Sequence, residues 1–208
     1  MTPRIKICGI TNLADARLAV ELGADALGFI FYRPSKRYMP VAEAVKICKA
    51  LPPFVTKVGV FVNESAVGIA TVIEACRLDA VQLHGEESPV FCRQLQLPVK
   101  IIKAIRMRDV DSLRSAAEYD VDALLIDTYT VEQRGGTGQT FDWTLARQAK
   151  TLLRPPIILS GGLTPENVDA AIRQSEPFAV DVASGVEIEP GRKDPEKLRR
   201  FFKACRQN

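Results

Sequence analysis

Eight short apolar runs, each followed by a stretch with helical patterning, set the strongest limit on what this chain can fold into. The runs cover residues 4–7, 26–30, 57–62, 80–83, 99–105, 123–126, 157–159 and 178–182. A strand with one wet face alternates apolar and polar residues, whereas runs this continuous suit strands buried on both faces of a parallel sheet. Helix start signals lie between them. Asn12, Ser65, Ser88 and Asp109 each precede a helical stretch, and Pro40 opens another over Val41–Ala50. Thr164 is an N-cap candidate, with Pro165 at the first helical position. Gly23 stands where a helix C-cap glycine belongs. Eight alternations of strand and helix predict one α/β domain over residues 1–208, a closed (β/α)8 TIM barrel with a parallel eight-stranded core. The alternative is an open doubly wound sheet. That fold carries a glycine fingerprint after its first strand, where this chain has Cys8-Gly9-Ile10-Thr11.

Composition removes several function classes. With 47% hydrophobic and 25% charged residues the chain has enough apolar surface for a packed core and is not disordered. Five scattered cysteines without a C-x-x-C pair, and a single histidine, match neither a zinc site nor a disulfide framework, so no metal is expected. Cys48, Cys92 and Cys205 lie in helical patterns and Cys76 closes one; they read as small apolar fillers or surface thiols. No apolar run reaches the roughly 18–20 residues that span a bilayer. Met1-Thr2-Pro3-Arg4-Ile5-Lys6 lacks the apolar stretch of a signal peptide. A cytoplasmic protein with no membrane partner is expected. The net charge of +3 comes from residues 191–208, which hold seven basic and two acidic side chains. One basic helix face is too narrow for a nucleic-acid footprint, and no nucleic-acid partner is expected.

In a barrel of this kind the chemistry sits where strands end and loops begin. The first strand ends at Cys8, the second runs into Phe31-Tyr32-Arg33-Pro34-Ser35-Lys36-Arg37, the fourth ends at His84 and the sixth at Asp127. The seventh ends in Ser160-Gly161-Gly162 and the eighth in Asp181-Val182-Ala183-Ser184-Gly185. Gly161 and Gly162 let the backbone approach a ligand ahead of a helix N-terminus, and Ser184-Gly185 adds a hydroxyl and an amide. Together they suit a phosphate, tight turns alone being the alternative. A ligand held there lies between Cys8 and Asp127, which fits proton abstraction on one side and proton donation on the other. Partial exposure beside rim amides would lower the Cys8 pKa as a base needs, and burial would raise that of Asp127 as an acid needs. The plainer alternatives are a buried small residue at Cys8 and an N-cap or ion-pair partner at Asp127.

Arg37 is either a clamp for a substrate carboxylate or a solvated charge beside Lys36 and Arg33. His84 contacts substrate or caps its loop. Asp181 accepts a sugar hydroxyl or makes a structural hydrogen bond. Trp143 is expected to pack the start of the sixth helix. The longest irregular stretch, 128–141 with Arg134-Gly135-Gly136-Thr137-Gly138 inside it, reads as a mobile loop over the site.

Lys6-Ile7-Cys8-Gly9-Ile10-Thr11 resembles the N-terminal signature of the phosphoribosylanthranilate isomerases, and the resemblance runs nearly end to end. It takes in Phe31 to Arg37 (F-x-x-x-S-x-R), Val58-Gly59-Val60-Phe61, Val81-Gln82-Leu83-His84-Gly85, Leu125-Ile126-Asp127 and Gly135-Gly136-Thr137-Gly138. It continues through Phe141-Asp142-Trp143, Ser160-Gly161-Gly162-Leu163, Pro165-Glu166-Asn167-Val168, residues 181–187 and residues 190–194. Single motifs are short, but ten in order after that signature are specific.

The resemblance implies a cofactor-free Amadori rearrangement in tryptophan biosynthesis, on a small phosphorylated sugar–anthranilate, by a monomer or homodimer. On that pattern Asp127 is the general acid that opens the ribose ring and Cys8 the general base that takes the C2′ proton. Arg37 binds the anthranilate carboxylate, His84 lies near the aromatic end, Asp181 contacts the sugar, and Gly161, Gly162, Ser184 and Gly185 hold the phosphate. Related barrels fit less well. A metal-dependent epimerase wants several His ligands, and a lysine aldolase would have to use Lys103, inside the fifth strand. A non-catalytic phosphate binder is the rival from another class. The related histidine-pathway isomerase has a carboxylate at the strand-one position, so Cys8 favours the tryptophan branch.

Overall fold

The computed structural model describes residues 2–107, 109–127 and 143–207. Along them run β1 (Arg4–Cys8), α1 (Leu13–Glu21), β2 (Ala26–Ile30), α2 (Val41–Ala50), β3 (Thr56–Phe61), α3 (Ala66–Cys76), β4 (Ala80–Leu83) and α4 (Pro89–Gln94). Then come β5 (Lys100–Arg106), α5 (Val110–Ala116), β6 (Ala123–Asp127), α6 (Thr144–Leu152), β7 (Ile157–Ser160), α7 (Val168–Ser175) and β8 (Ala179–Val182). A short hairpin, β9 (Glu187–Glu189) and β10 (Arg192–Lys193), leads into α8 (Pro195–Cys205). Strands β1 to β8 lie side by side in chain order, and β8 closes onto β1. The fold is therefore the expected (β/α)8 barrel. Its seam pairs Lys6 with Asp181 and Ile7 with Val182, all parallel.

Successive strand residues face opposite ways. One set, including Val58, Ala80, Ile102, Leu125 and Ile158, packs together as the barrel filling. The other set, including Ile7, Leu27, Phe29, Val81 and Leu159, packs against the helices. Both faces are dry, which is why the strands read as continuous apolar runs.

Asn12, Ser65, Ser88 and Asp109 cap α1, α3, α4 and α5, each accepting a backbone N–H of the first turn. Gly23 follows α1 with φ 92°, a left-handed conformation that favours glycine. Trp143 is buried at the start of α6. All five cysteines are free and buried, so none is a surface thiol.

Two features differ from expectation. Thr164 makes the expected capping bonds, its hydroxyl accepting from the Glu166 N–H at 3.2 Å and its N–H donating to Asn167 Oδ1 at 2.8 Å, but they close a single turn, and the regular helix α7 starts only after Asn167. The β9–β10 hairpin was not anticipated, because five strand residues are too few to show a period. The expected mobile loop at 128–141, with Phe141 and Asp142 beside it, lies outside the described residues. No helix among the described residues is long and apolar enough to cross a membrane.

Candidate active site

The nine residues singled out in the sequence all line one cleft at the C-terminal rim of the barrel. Cys8 reaches it from β1, Arg37 from the loop after β2, His84 from just past β4, Asp127 from the end of β6 and Asp181 from β8. Gly161, Gly162, Ser184 and Gly185 form its wall after β7 and β8. Gln82 and Ser160 line it as well. They share this face because two-residue spacing along a strand repeats the direction of the side chain: Gln82 with His84, Lys6 with Cys8.

The glycine wall has a definite cause. Gly161 and Gly162 both have positive φ, 91° and 65°, and Asn167 Nδ2 donates to the Gly162 carbonyl at 3.0 Å. Ser184 opens a single 3₁₀ turn over Ser184–Val186. A Cβ on Gly185 would land on the carbonyl oxygen of Leu163, so glycine there lets the two loops pack backbone to backbone.

At the other end of the cleft polar groups form a chain. The Lys6 ammonium donates to Asp181 Oδ1 at 2.7 Å and to Gln82 Oε1 at 2.9 Å. Ser160 Oγ donates to Asp181 Oδ2 at 3.1 Å. Asp181 thus makes structural hydrogen bonds while lining the cleft. Gln82 Nε2 lies 2.8 Å from His84 Nδ1, and His84 Nε2 lies 3.5 Å from Asp127 Oδ2. Burial opposes the charge on Lys6, but Asp181 and Cys8 beside it outweigh that and hold its pKa up.

Cys8 corrects one expectation. It is 5% exposed rather than partly open, and burial pushes its thiol pKa up, with Lys6 and Lys193 pulling the other way and Asp181 adding to the rise. Gly28, its register partner on β2, makes room for it: a Cβ there would stand 2.8 Å from Cys8 Sγ and 3.2 Å from Lys6 Nζ.

Arg37 is not a solvated charge. Glu187 on β9 accepts from Nε at 2.9 and 3.0 Å and from Nη2 at 2.6 Å. These bonds raise the Arg37 pKa and fix the guanidinium plane. Glu187 also accepts from Lys193 Nζ at 2.9 Å, and Lys193 donates to the carbonyl of Cys8 at 2.6 Å. The unanticipated hairpin therefore braces both Arg37 and the end of β1.

Comparison with known proteins agrees with this geometry. A family model for N-(5'phosphoribosyl)anthranilate (PRA) isomerase matches residues 5–204. The chain belongs to the phosphoribosylanthranilate isomerase family. It is 50% identical over 199 residues to the N-(5'-phosphoribosyl)anthranilate isomerase of Citrifermentans bemidjiense, covering 96% of this chain and 95% of that protein. The crystal structure of phosphoribosyl anthranilate isomerase from Thermotoga maritima superposes with a TM-score of 0.91 at 47% identity, covering 99% of this chain and all of that one. A phosphoribosyl anthranilate isomerase in complex with reduced 1-(o-carboxyphenylamino)-1-deoxyribulose 5-phosphate matches at 44% identity with a TM-score of 0.88, over 99% of this chain and 100% of that one.

Within the phosphoribosylanthranilate isomerase family frame, the lysine-aldolase alternative loses its candidate. Lys103 is buried and points away from the cleft, donating to the carbonyls of Leu83 and Gly85 and to Glu87. Four residues at or behind the site were given no role in the sequence: Lys6, Gln82, Glu187 and Lys193. For Lys6 and Gln82 a signal existed, namely a polar residue inside an apolar strand two positions before an expected site residue. Glu187 and Lys193 gave none, since their partners are 150 and 185 residues away.

Proposed function

We propose that Asp127 and Cys8 carry the proton transfers of the family's reaction in tryptophan biosynthesis, the rearrangement of N-(5-phosphoribosyl)anthranilate to 1-(2-carboxyphenylamino)-1-deoxyribulose 5-phosphate. The amide walls at Gly161, Gly162, Ser184 and Gly185 bind the phosphate, so the ribose lies across the barrel mouth. Asp127 gives a proton to the ring oxygen, the C1′–O bond breaks, and the nitrogen lone pair forms a Schiff base. Cys8 as thiolate removes the C2′ proton, and the electrons shift to give the enolamine, which tautomerises to the ketone. Lys6 supports the thiolate form. Arg37, braced by Glu187, binds the anthranilate carboxylate, His84 borders the aromatic ring, and Asp181 meets the sugar. No step calls for a cofactor. The protein works in the cytoplasm as a monomer or homodimer, with no nucleic-acid partner.

The observation that carries this reading is the convergence of one thiol, one carboxylate, one held arginine and two glycine walls on a single cleft. The test follows loss of substrate fluorescence with freshly made phosphoribosylanthranilate. Cys8→Ala and Asp127→Asn are each expected to lower kcat by ~10²–10⁴-fold, the usual worth of an acid or base group, with circular dichroism and product binding unchanged. Wild-type turnover in either variant removes that residue from its role.

A further inference from the structure

We propose that Gln82 is a positioning residue that fixes the tautomer of His84, so that the imidazole presents an N–H, not a lone pair, to Asp127. The Lys6 ammonium can only donate. The Gln82 oxygen 2.9 Å from Lys6 Nζ must therefore be the amide carbonyl, which turns the Gln82 NH2 group toward His84. An amide NH2 can only donate, so His84 Nδ1, 2.8 Å away, accepts and carries no proton. The ring proton is then on Nε2, the atom that faces Asp127 Oδ2 at 3.5 Å.

Nothing else in this chain of contacts is free to reverse. Lys6 is locked by Asp181, its register partner across the barrel seam. Gln82 is 1% exposed, on a strand hydrogen-bonded on both sides. The sign of the His84–Asp127 contact is thus set two residues back along β4, at Gln82, and across the barrel at Lys6 on β1. With the proton on Nε2 the contact attracts and holds one carboxylate oxygen in place. With the proton on Nδ1 two lone pairs would face each other and push the carboxylate aside. Gln82 acts through His84 on a group that transfers a proton, so it should govern kcat more than KM. The kinetic half of this inference rests on the role proposed for Asp127; the tautomer itself does not.

His84 is the only histidine in the chain, so ¹⁵N-histidine labelling of the whole protein yields one imidazole pair. The free wild-type enzyme is expected to show a protonated Nε2 and an unprotonated Nδ1. A protonated Nδ1, or the mixture seen for a free imidazole, overturns the inference without any turnover measurement. Gln82→Glu keeps an acceptor for Lys6 but faces a carboxylate oxygen to Nδ1, and is expected to move a proton onto Nδ1. Gln82→Met removes the donor at similar volume and is expected to give mixed tautomers. Both should lower kcat about 10- to 100-fold, as loss of an orienting partner does at other histidines, with KM changed less. Unchanged spectra in the variants, or a wild-type kcat in folded Gln82→Met, also overturn it. Should Asp127→Asn retain full activity while the spectra come out as expected, the role of Asp127 fails and the tautomer assignment stands.

Discussion

A thiol buried beneath a barrel rim is a weak acid, and Cys8 can serve as the proposed base only to the extent that it ionises. Its pKa is raised, so the thiolate is the minor form at neutral pH and grows as pH rises. The rising limb of kcat/KM should accordingly lie on the alkaline side of neutrality. Replacing Cys8 by Asp puts a group there whose ordinary pKa is about 4 instead of about 8.5. The limb should then move to lower pH by more than about two units, although the residual rate is lower. A limb that stays put would show that another group sets it. Cys8, Asp127, Arg37, His84 and Asp181 were legible as cleft residues because each is a reactive side chain near a strand end or in the loop that follows it. The environment of Cys8 was not, since Lys6 faces it only through strand pleating and Lys193 comes from the far end of the chain.

Among the elements, the loops after β7 and β8 and the β9–β10 hairpin carry the finest tolerances. Gly185 packs against the Leu163 carbonyl, so Gly185→Ala forces apart the two glycine walls proposed to hold the phosphate. The expected result is a rise in KM of at least about tenfold, equal to about 1.4 kcal/mol, with a smaller fall in kcat. An unchanged KM would show that the walls do not hold the phosphate.

Glu187 sits between Arg37 and Lys193, whose side chain is fully buried. Burial weighs on both partners of the lysine–glutamate pair. It lowers the Lys193 pKa even beside Glu187, whereas Glu187, with two cations, is held below its ordinary value. Glu187→Gln leaves Lys193 without its counter-charge and should cost about 3 kcal/mol in a denaturant titration at neutral pH. A depressed carboxylate pKa contributes stability that is present above the ordinary glutamate range and lost as pH falls through the folded value. The gap between wild type and Glu187→Gln should therefore narrow in acid. A gap independent of pH would contradict the ion-pair account. Strands and caps in the barrel itself were legible from apolar runs and capping residues, whereas the hairpin and the late start of α7 were not. Both depend on contacts between loops, which leave no period in the sequence.

For the whole molecule, the continuous apolar runs were enough to read a parallel sheet dry on both faces, while closure over an open doubly wound sheet was read from eight strict alternations and the missing glycine fingerprint after the first strand. What alternation does not reveal is what the closing seam contains. Lys6 and Asp181 are register partners on the first and last strands, and they form a buried ion pair in the floor of the site. During synthesis Lys6 is made with β1 and waits for its counter-ion until β8 follows, 175 residues later. A chain cut short before β8 would have to bury that ammonium with the Gln82 carbonyl but no counter-charge, which is costly enough to keep the barrel open. Substrate turnover in this protein is thus a report that β1 and β8 have met, and a barrel left unclosed is silent rather than partly active.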